Sequence, residues 1–255
     1  MGQLVPLFPA RRGHRLFVEL AATPMDVRAA QVLRYQVFGE EMGAKLKGRE
    51  PGVDEDDLDP YCQHLLVRES ATGRVVGCTR ILTDENAGRF GRFYSEGEFE
   101  MDAIKAVPGR MLEVGRTCIA PEYRQGAGIA VLWSGLAAFT SLHGFDHLFG
   151  CASLPLGKQD TQAAAIMNRL RRQAMAEPEI RATPKMPLLT PKVPEGVLEA
   201  PLPALVKAYV RLGAKACGEP CRDPDFGVAD VLMLLDMDNL SPLYSRHFLD
   251  RGERF

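Results

Sequence analysis

The chemistry in this sequence gathers in one stretch, Met111 to Leu142. Met111-Leu-Glu-Val-Gly-Arg-Thr-Cys-Ile119 is a strand-like run, Gln125-Gly126-Ala127-Gly128-Ile129-Ala130 a tight glycine turn, and Val131 to Leu142 an apolar helix. Gly126 and Gly128 remove two side chains where a backbone must come close to something. The amides opening the helix have no intrahelical partners. With the helix dipole they compose a place for phosphate oxygens. Two common phosphate loops do not fit. A P-loop needs Lys and Ser/Thr after the second glycine, where Ile129-Ala130 stands; a dinucleotide fingerprint needs Gly or Ala three residues after Gly128, where Val131 stands. The plain alternative is a glycine turn before a core helix.

The 255 residues suit one large α/β domain with decorations, and 46% hydrophobic with 25% charged residues is ordinary globular composition. No apolar run reaches the roughly 18 residues that span a bilayer. Met1 to Pro6 has no cationic segment before an apolar core, and Pro6 stands where a myristoylation signal wants Ser/Thr. A cytoplasmic protein, or one peripheral at the inner face of the membrane, is expected. Cys62, Cys78, Cys118, Cys151, Cys217 and Cys221 read as reduced core residues, and the lone C-x-x-x-C at 217–221 gives no metal site. A net charge of -2 excludes global affinity for nucleic acid. Two basic clusters, Arg11-Arg12-His14-Arg15 and Arg169-Arg171-Arg172, are either solvated faces or docking surfaces.

The elements that must hold this stretch follow along the chain. Residues 15–21 form a first strand. Thr23 caps a helix with Pro24 at its first position and Asp26 in its first turn. Ala30, Leu33 and Val37 make its buried stripe, with Arg34 and Phe38 on a neighbouring face. Residues 39–52 read as a loop or short helix, and the acidic Val53 to Pro60 as a solvent-facing turn on residue type alone. His64–Arg68 and Arg74–Leu82 are antiparallel strands joined by a turn at Ser70–Gly73. Residues 83–110 read as a loop and short helix, either covering a substrate or a surface excursion. Leu148–Leu154 is a strand buried on both faces, and residues 161–175 are helical. Pro178 to Pro203 predicts an extended crossing without regular pairing. Leu205–Cys217 predicts a helix ended by Gly218 and Pro220, Val228–Leu235 a strand closing the same sheet, and Leu243–Leu249 a last helix.

Gln125-Gly126-Ala127-Gly128-Ile129-Ala130 resembles the Q-x-x-G-x-A pyrophosphate loop of the GNAT acyltransferases. Leu33 to Phe38, Asp56-Asp57-Leu58-Asp59, His64 to Val67, Gly77 to Leu82 and Leu112-Glu113-Val-Gly-Arg116 follow in one order. This series resembles the acyl-carrier-protein-dependent N-acyltransferase branch, which includes the acyl-homoserine lactone synthases and the ornithine-lipid enzymes often called haemolysin-like. The ornithine-lipid type fits better. Glu113-Val-Gly-Arg116 precedes Pro121-Glu-Tyr-Arg124, and Lys207-Ala-Tyr209, Leu212-Gly-Ala-Lys215, Cys217-Gly-Glu-Pro220 and Asp223-Pro-Asp-Phe-Gly227 follow. One departure is that the lactone synthases carry a Trp soon after the Phe38 position, whereas Trp133 is this chain's only one.

The resemblance implies one GNAT-like α/β domain over 1–255. Its central mixed sheet is splayed around the pantetheine site, with helices on both faces, and the arm lies between Cys151–Leu154 and Val114–Cys118. It implies transfer of a long-chain 3-hydroxyacyl group to the α-amine of L-ornithine. The donor would be acyl-phosphopantetheine on an acyl carrier protein, with coenzyme A as the other donor and no tightly bound cofactor. Other acceptors (glutamine, a homoserine lactone precursor), plain N-acetylation, or passive lipid binding are the alternatives. Such a protein would be a monomer or weak dimer.

N-acylation needs a neutral amine at a thioester carbonyl, a proton acceptor, oxyanion donors and a hold on the substrate carboxylate. Glu113 is the expected base, with burial by an apolar acyl tunnel raising its pKa; its structural alternative is an ion pair with Arg116 or Arg80. Arg80 and Arg116 would clamp a carboxylate or a pantetheine phosphate. Asp56 and Asp59 would bind a substrate ammonium, with Arg34 and Phe38 beside them. His64 is either a proton relay or a partner of Asp59. Thr117, Cys118 and Ile119 and the loop Gln125, Gly126, Ala127, Gly128, Ile129 and Ala130 would hold the donor, and amides near Gly115 to Cys118 the oxyanion.

Overall fold

The computed structural model describes residues 16–124, 127–188 and 200–240. In chain order its elements are β1 (Leu16–Leu20), α1 (Pro24–Arg34), β2 (Gln63–Glu69), β3 (Val75–Thr83), α2 (Asp84–Phe90), β4 (Phe99–Glu100), α3 (Asp102–Lys105) and β5 (Met111–Ile119). Then come α4 (Gly128–Leu142), β6 (His147–Pro155), α5 (Thr161–Gln173), β7 (Thr183–Pro184), α6 (Ala204–Leu212), β8 (Lys215–Ala216), β9 (Cys221–Asp223) and β10 (Val228–Asp236). The described residues form two compact units. One contains 16–90 and 114–144, the other 91–113 and 145–240, so β5 contributes to both.

In the first unit, β1 pairs antiparallel with β2, and β2 with β3. β3 lies against the later part of β5: Ala120 N–H donates to the Val76 carbonyl at 2.8 Å, and the Thr79 and Thr117 hydroxyls are 2.7 Å apart, so these strands run in opposite directions. Thr23 and Asp26 close a capping box at the start of α1, satisfying two donors that a helix end leaves open. Ala30, Leu33 and Val37 are buried as the spacing requires. Beyond Arg34 the helix widens into a π-helical turn, Tyr35–Glu41, a form absent from the spacing argument and frequent at functional sites. It buries both Val37 and Phe38. α4 buries Leu132, Leu136 and Phe139, each burial stabilising by about 1.5–3 kcal/mol. It packs so near β1 and β2 that a Cβ on Gly135 would lie 2.5 Å from the Val18 side chain and 3.3 Å from Leu65.

The second unit is built on β10, paired with β6 along one edge and with β8 and β9 along the other. All of Ala229 to Leu235 is buried, so this strand closes a sheet as its apolar run requires. The sheet is mixed: β6 is antiparallel to β10 but parallel to β5, and that parallel register runs only from Met111↔His147 to Glu113↔Phe149. α5 covers β6 with Ala163 to Met167 and Leu170.

Two expectations are corrected here. The helix α6 ends at Leu212 rather than Cys217, because Gly213 takes a left-handed φ of 110° and caps it, freeing Lys215–Ala216 to pair with β10. The proline-rich crossing also pairs. Thr183–Pro184 lies along Phe99–Glu100 and Pro187 bridges Cys221, while residues between the prolines supply the donors, Lys185 N–H to Glu98 O and Leu188 N–H to Pro220 O. The basic cluster Arg11 to Arg15, the helix expected at Leu243–Leu249, and Gln125 and Gly126 lie outside the described residues. No helix among the described residues is long and apolar enough to cross a membrane.

Candidate functional site

In the first unit, the end of α1, the loop 53–62 and strands β2, β3 and β5 bring Arg34, Asp54, Asp56, Asp59, His64, Arg80 and Arg116 together. Arg34 forks onto Asp59, Nη1 to Oδ1 at 2.8 Å and Nη2 to Oδ2 at 2.9 Å, and its Nε donates to Asp54 Oδ2 at 2.8 Å. Gln31 adds a donor to Asp59 at 2.9 Å. Arg80 Nη1 reaches Asp56 at 2.5 Å and Asp59 at 2.9 Å. Arg116 pairs with Asp54 at 3.2 Å and Asp56 at 3.7 Å. Three guanidinium groups thus face three carboxylates.

Burial works against every charge here, and the pairing overrules it. Burial pushes the Asp59 carboxyl up, but the Arg34 hydrogen bonds and the charges of Arg34 and Arg80 hold it well below the usual carboxylate range. Burial likewise pulls Arg34 and Arg80 down, and their aspartates hold both above the ordinary guanidinium value. Burial keeps the His64 imidazole below its usual value, and its Nε2 lies 3.2 Å from the Asp59 carbonyl oxygen.

This arrangement corrects several assignments. Asp59, expected to bind a substrate ammonium, has its oxygens engaged by two arginines and a glutamine at 5% side-chain exposure. Arg34 and Arg80, at 1% and 4%, clamp the protein's own carboxylates, and Phe38 is core. The acidic stretch is not a solvated turn: Asp54 and Asp59 are buried. Within the network Arg116 and Asp56 keep the most side-chain exposure, 14% and 28%.

Arg116 has a further peculiarity that its sequence did not announce. Its φ is 51° in the middle of a strand, a left-handed conformation uncommon for a residue with a side chain. Such a residue bends the strand and breaks the ladder locally, as a bulge does. The ion pairs to Asp54 and Asp56 brace it from the side-chain end. Gly115, Arg116 and Thr117 are half-buried, and nothing lies within 4 Å of where a Gly115 Cβ would point. Cys118 and Ile119 beyond them are core. The Cys118 thiol lies 3.6 Å from that of Cys78, whose contact together with burial pushes its pKa up. Ile119 fills the space beside Gly77. Only their backbone could meet a donor molecule.

At the start of α4 no side chain among the described residues caps the helix, and Ala127 and Ala130 are exposed. The glycine at 128 serves the chain itself: a Cβ there would come 2.9 Å from the Tyr123 carbonyl oxygen and 3.2 Å from Ile119.

In the second unit Glu113 is 3% exposed. Its carboxylate accepts the Tyr94 N–H at 2.6 Å, the Ser95 N–H at 2.8 Å and the Ser95 hydroxyl. Arg80 and Arg116, the partners named in the structural alternative to its role as base, hold aspartates in the network above. Phe93, edge-on to Phe149 at 4.9 Å, packs the turn that presents these donors. Ser95 Oγ lies 3.2 Å from Cys151 Sγ, and Cys151 in turn bonds to Glu98. Glu98, Asp223 and Asp230 bring their carboxylate oxygens within 4.8 Å of one another. Burial, then Asp230 and Asp223, push Glu98 up to about 8, and burial pushes the Cys151 thiol up as well. Asp223 also takes the N–H groups of Asp225 and Phe226 at 2.9 and 3.1 Å.

Ser95, Glu98 and Asp230 join the site without being predicted by motif or spacing. Asp230 did carry a signal: it is the one charged residue inside the apolar run 228–235, and a buried charge demands a purpose. Ser95 and Glu98 carried none, since their chemistry arises from contacts with residues far along the chain.

Residues 33–134 match the Acetyltransferase (GNAT) domain family. The chain is 36% identical to an L-ornithine N(alpha)-acyltransferase of Rhizobium meliloti (strain 1021), covering 94% of this chain and 86% of that one. It is 32% identical to an enzyme of the same name from Rhodobacter capsulatus, covering 92% and 95%. Among solved structures it is similar to BjaI, a CoA-dependent acyl-homoserine lactone synthase, with a TM-score of 0.58 at 14% identity over 93% of this chain and 90% of that one. The lactone synthase LasI gives 0.52 at 14% identity, covering 88% and 91%. At such identity these two show a shared fold.

Proposed function

The chain belongs to the L-ornithine N(alpha)-acyltransferase family of GNAT acyltransferases, and from that premise we propose how it acts. It transfers a long-chain 3-hydroxyacyl group from the phosphopantetheine thioester of an acyl carrier protein to the α-amine of L-ornithine. The product, lyso-ornithine lipid, is an amphiphile, which suits an enzyme working at the inner face of the membrane.

The observation that carries this reading is the acidic composition of the second unit's site. Glu113, Glu98, Asp223 and Asp230 are four carboxylic groups joined through Ser95 and Cys151. Ornithine brings two ammonium groups. Glu113 takes the α-ammonium proton and frees the amine, whose nitrogen attacks the thioester carbonyl. The carbon–sulfur bond then breaks, the attacking nitrogen's second proton passes to the departing sulfur, the pantetheine thiol leaves, and the amide forms. The side-chain ammonium is held by Glu98, Asp223 and Asp230, in the role first given to Asp56 and Asp59. A neutral acceptor such as glutamine would bring this cluster no counter-charge, whereas an ammonium group favours the ionised form of Glu98 that burial and its neighbours oppose.

On β5, the half-buried backbone at Gly115 to Thr117 supplies N–H donors to the oxyanion, in a turn that Arg116 holds open. Arg116 and Asp56 are the most exposed members of the network, and Arg34, Asp59, Arg80 and His64 brace them. The uncapped amides of α4 from Ala127 to Ala130 receive the donor's phosphate.

Norvaline, which is ornithine without its side-chain amine, gives the test. The wild-type protein should acylate ornithine in strong preference to norvaline, and Asp230→Asn should raise the KM for ornithine while leaving the acyl-donor KM unchanged. Equal turnover of the two amino acids by the wild-type protein would remove the acidic cluster from acceptor recognition.

A further inference from the structure

We infer that Ser95 is a positioning residue for the acyl transfer, its hydroxyl fixing the Glu113 carboxylate in the orientation that receives the amine proton. This rests on the reading of Glu113 as the base.

The geometry is specific. Ser95 is wholly buried at the head of a short 3-10 turn, and two of its groups meet the same oxygen: its N–H reaches Glu113 Oε1 at 2.8 Å and its hydroxyl donates to that oxygen too. The other oxygen takes the Tyr94 N–H at 2.6 Å. The last torsion of a glutamate is broad and roughly two-fold, so one contact would leave the carboxylate plane free to turn. Donors meeting it from two backbone positions and one side chain fix that plane. Hydrogen bonds to a carboxylate from a charge-assisted donor set are stronger than neutral ones, which makes this hydroxyl a substantial part of the hold.

The hydroxyl is itself confined. Cys151 Sγ, on β6, stands 3.2 Å from Ser95 Oγ. The titratable groups around it are Cys151, Glu98 beyond the turn and Asp230 on β10, and all three carboxyls, Glu113 included, act on the Cys151 thiol. Burial keeps that thiol protonated, so it is a neutral neighbour that leaves the serine's proton to Glu113. A serine kept only for turn formation would have no need of a partner on a strand 56 residues away.

The test compares Ser95→Ala, Ser95→Cys, Glu113→Gln and the double variant Ser95→Ala/Glu113→Gln, each followed as kcat, ornithine KM and melting temperature across pH. Removing a donor from a carboxylate favours its protonated form. The acid limb of the kcat profile of Ser95→Ala should therefore move to higher pH, with kcat at neutral pH lowered roughly tenfold and the ornithine KM within about twofold. In the Glu113→Gln background the serine change should add no further loss, because the two residues act as one unit. Ser95→Cys, close in size and a poorer donor, should fall between, and it gives the same reading if Ser95→Ala does not fold. A folded Ser95→Ala with wild-type kcat and an unmoved acid limb overturns the inference. So does a loss equal at every pH that persists in the double variant. If instead Glu113→Gln itself keeps wild-type kcat, the base assignment fails first and takes the inference with it.

Discussion

Arg34 and Asp59 meet fork to fork, at 2.8 and 2.9 Å, between side chains only 1% and 5% exposed. A pair this buried gains little over an apolar pair of the same shape, but breaking it from one side strands a charge. Arg34→Ala should therefore cost about 3–5 kcal/mol of stability, read by chemical denaturation. Arg34→Lys should recover little of it, because an ammonium cannot occupy both carboxylate oxygens and Asp54 at once.

The same network sets an acid limit. His64 binds a proton less readily folded than unfolded, so stability falls as pH drops below its ordinary value of 6.5. Asp59, also depressed, extends the loss as pH falls below 3.8. Glu98 has the opposite sign. Raised from 4.5 to about 8, it favours the fold below 4.5 and loses that contribution progressively as pH climbs to 8. Glu98→Gln should flatten this slope and raise the melting temperature at pH 8 relative to wild type. An unchanged slope would mean that Glu98 ionises freely in the fold.

Glu113→Gln should lower kcat by roughly 10²–10⁴ at neutral pH, with partial recovery at high pH where more amine arrives already deprotonated. Stability falls as well, by about 1–3 kcal/mol, since an amide NH₂ would have to face either the Tyr94 N–H or the Ser95 donors. A destabilised variant with unimpaired kcat would remove Glu113 from the chemistry.

Donor binding at α4 is best probed beside Gly128 rather than at it. Gly128→Val would push into the Tyr123 carbonyl and disturb the fold whatever binds there. Ala127 is exposed at the helix cap. Ala127→Glu should leave melting unchanged or slightly improved, since an acid suits a helix N-terminus. It should also raise the KM of the acyl donor several-fold and leave that of ornithine alone. Equal donor KM values in the two proteins would move the phosphate site elsewhere.

The basic end of α5 tests the carrier. Arg171 pairs with Glu219, and Arg172 is exposed at the same end of the helix. If an acidic carrier protein docks there, Arg172→Glu should raise the KM for acyl carrier protein, and added salt should do the same to the wild type. The KM for acyl-CoA should respond to neither.

What the sequence disclosed follows the reach of each interaction. Thr23, Pro24 and Asp26 determine a helix start within four residues, and the capping box forms as read. Val228–Leu235 is apolar enough to require burial on both faces and becomes a strand buried from Ala229 to Leu235. Gly213 is hidden as a helix end because Ala214 and Ala216 continue the helical composition; only its left-handed backbone reveals the stop. The partners of Asp59 are hidden for a different reason. Its charge is visible in the sequence, but the charges it meets stand 25 and 21 residues away on Arg34 and Arg80. Ser95 and Cys151, 56 residues apart, are ordinary residues until the fold brings them together.

The pairing of β6 also governs how this chain can be made. From Gly150 to Pro155 the described partner of that strand is β10, whose first residue is Val228. A growing polypeptide therefore carries His147–Pro155, apolar through most of its length, for more than seventy residues of synthesis before the strand that covers its edge emerges. Until then the unit presents an open strand edge of the kind that joins to other chains. Substitutions that weaken β10, such as a proline at Leu232, should thus reduce yield through aggregation during translation far more than they reduce the activity of the molecules that complete folding.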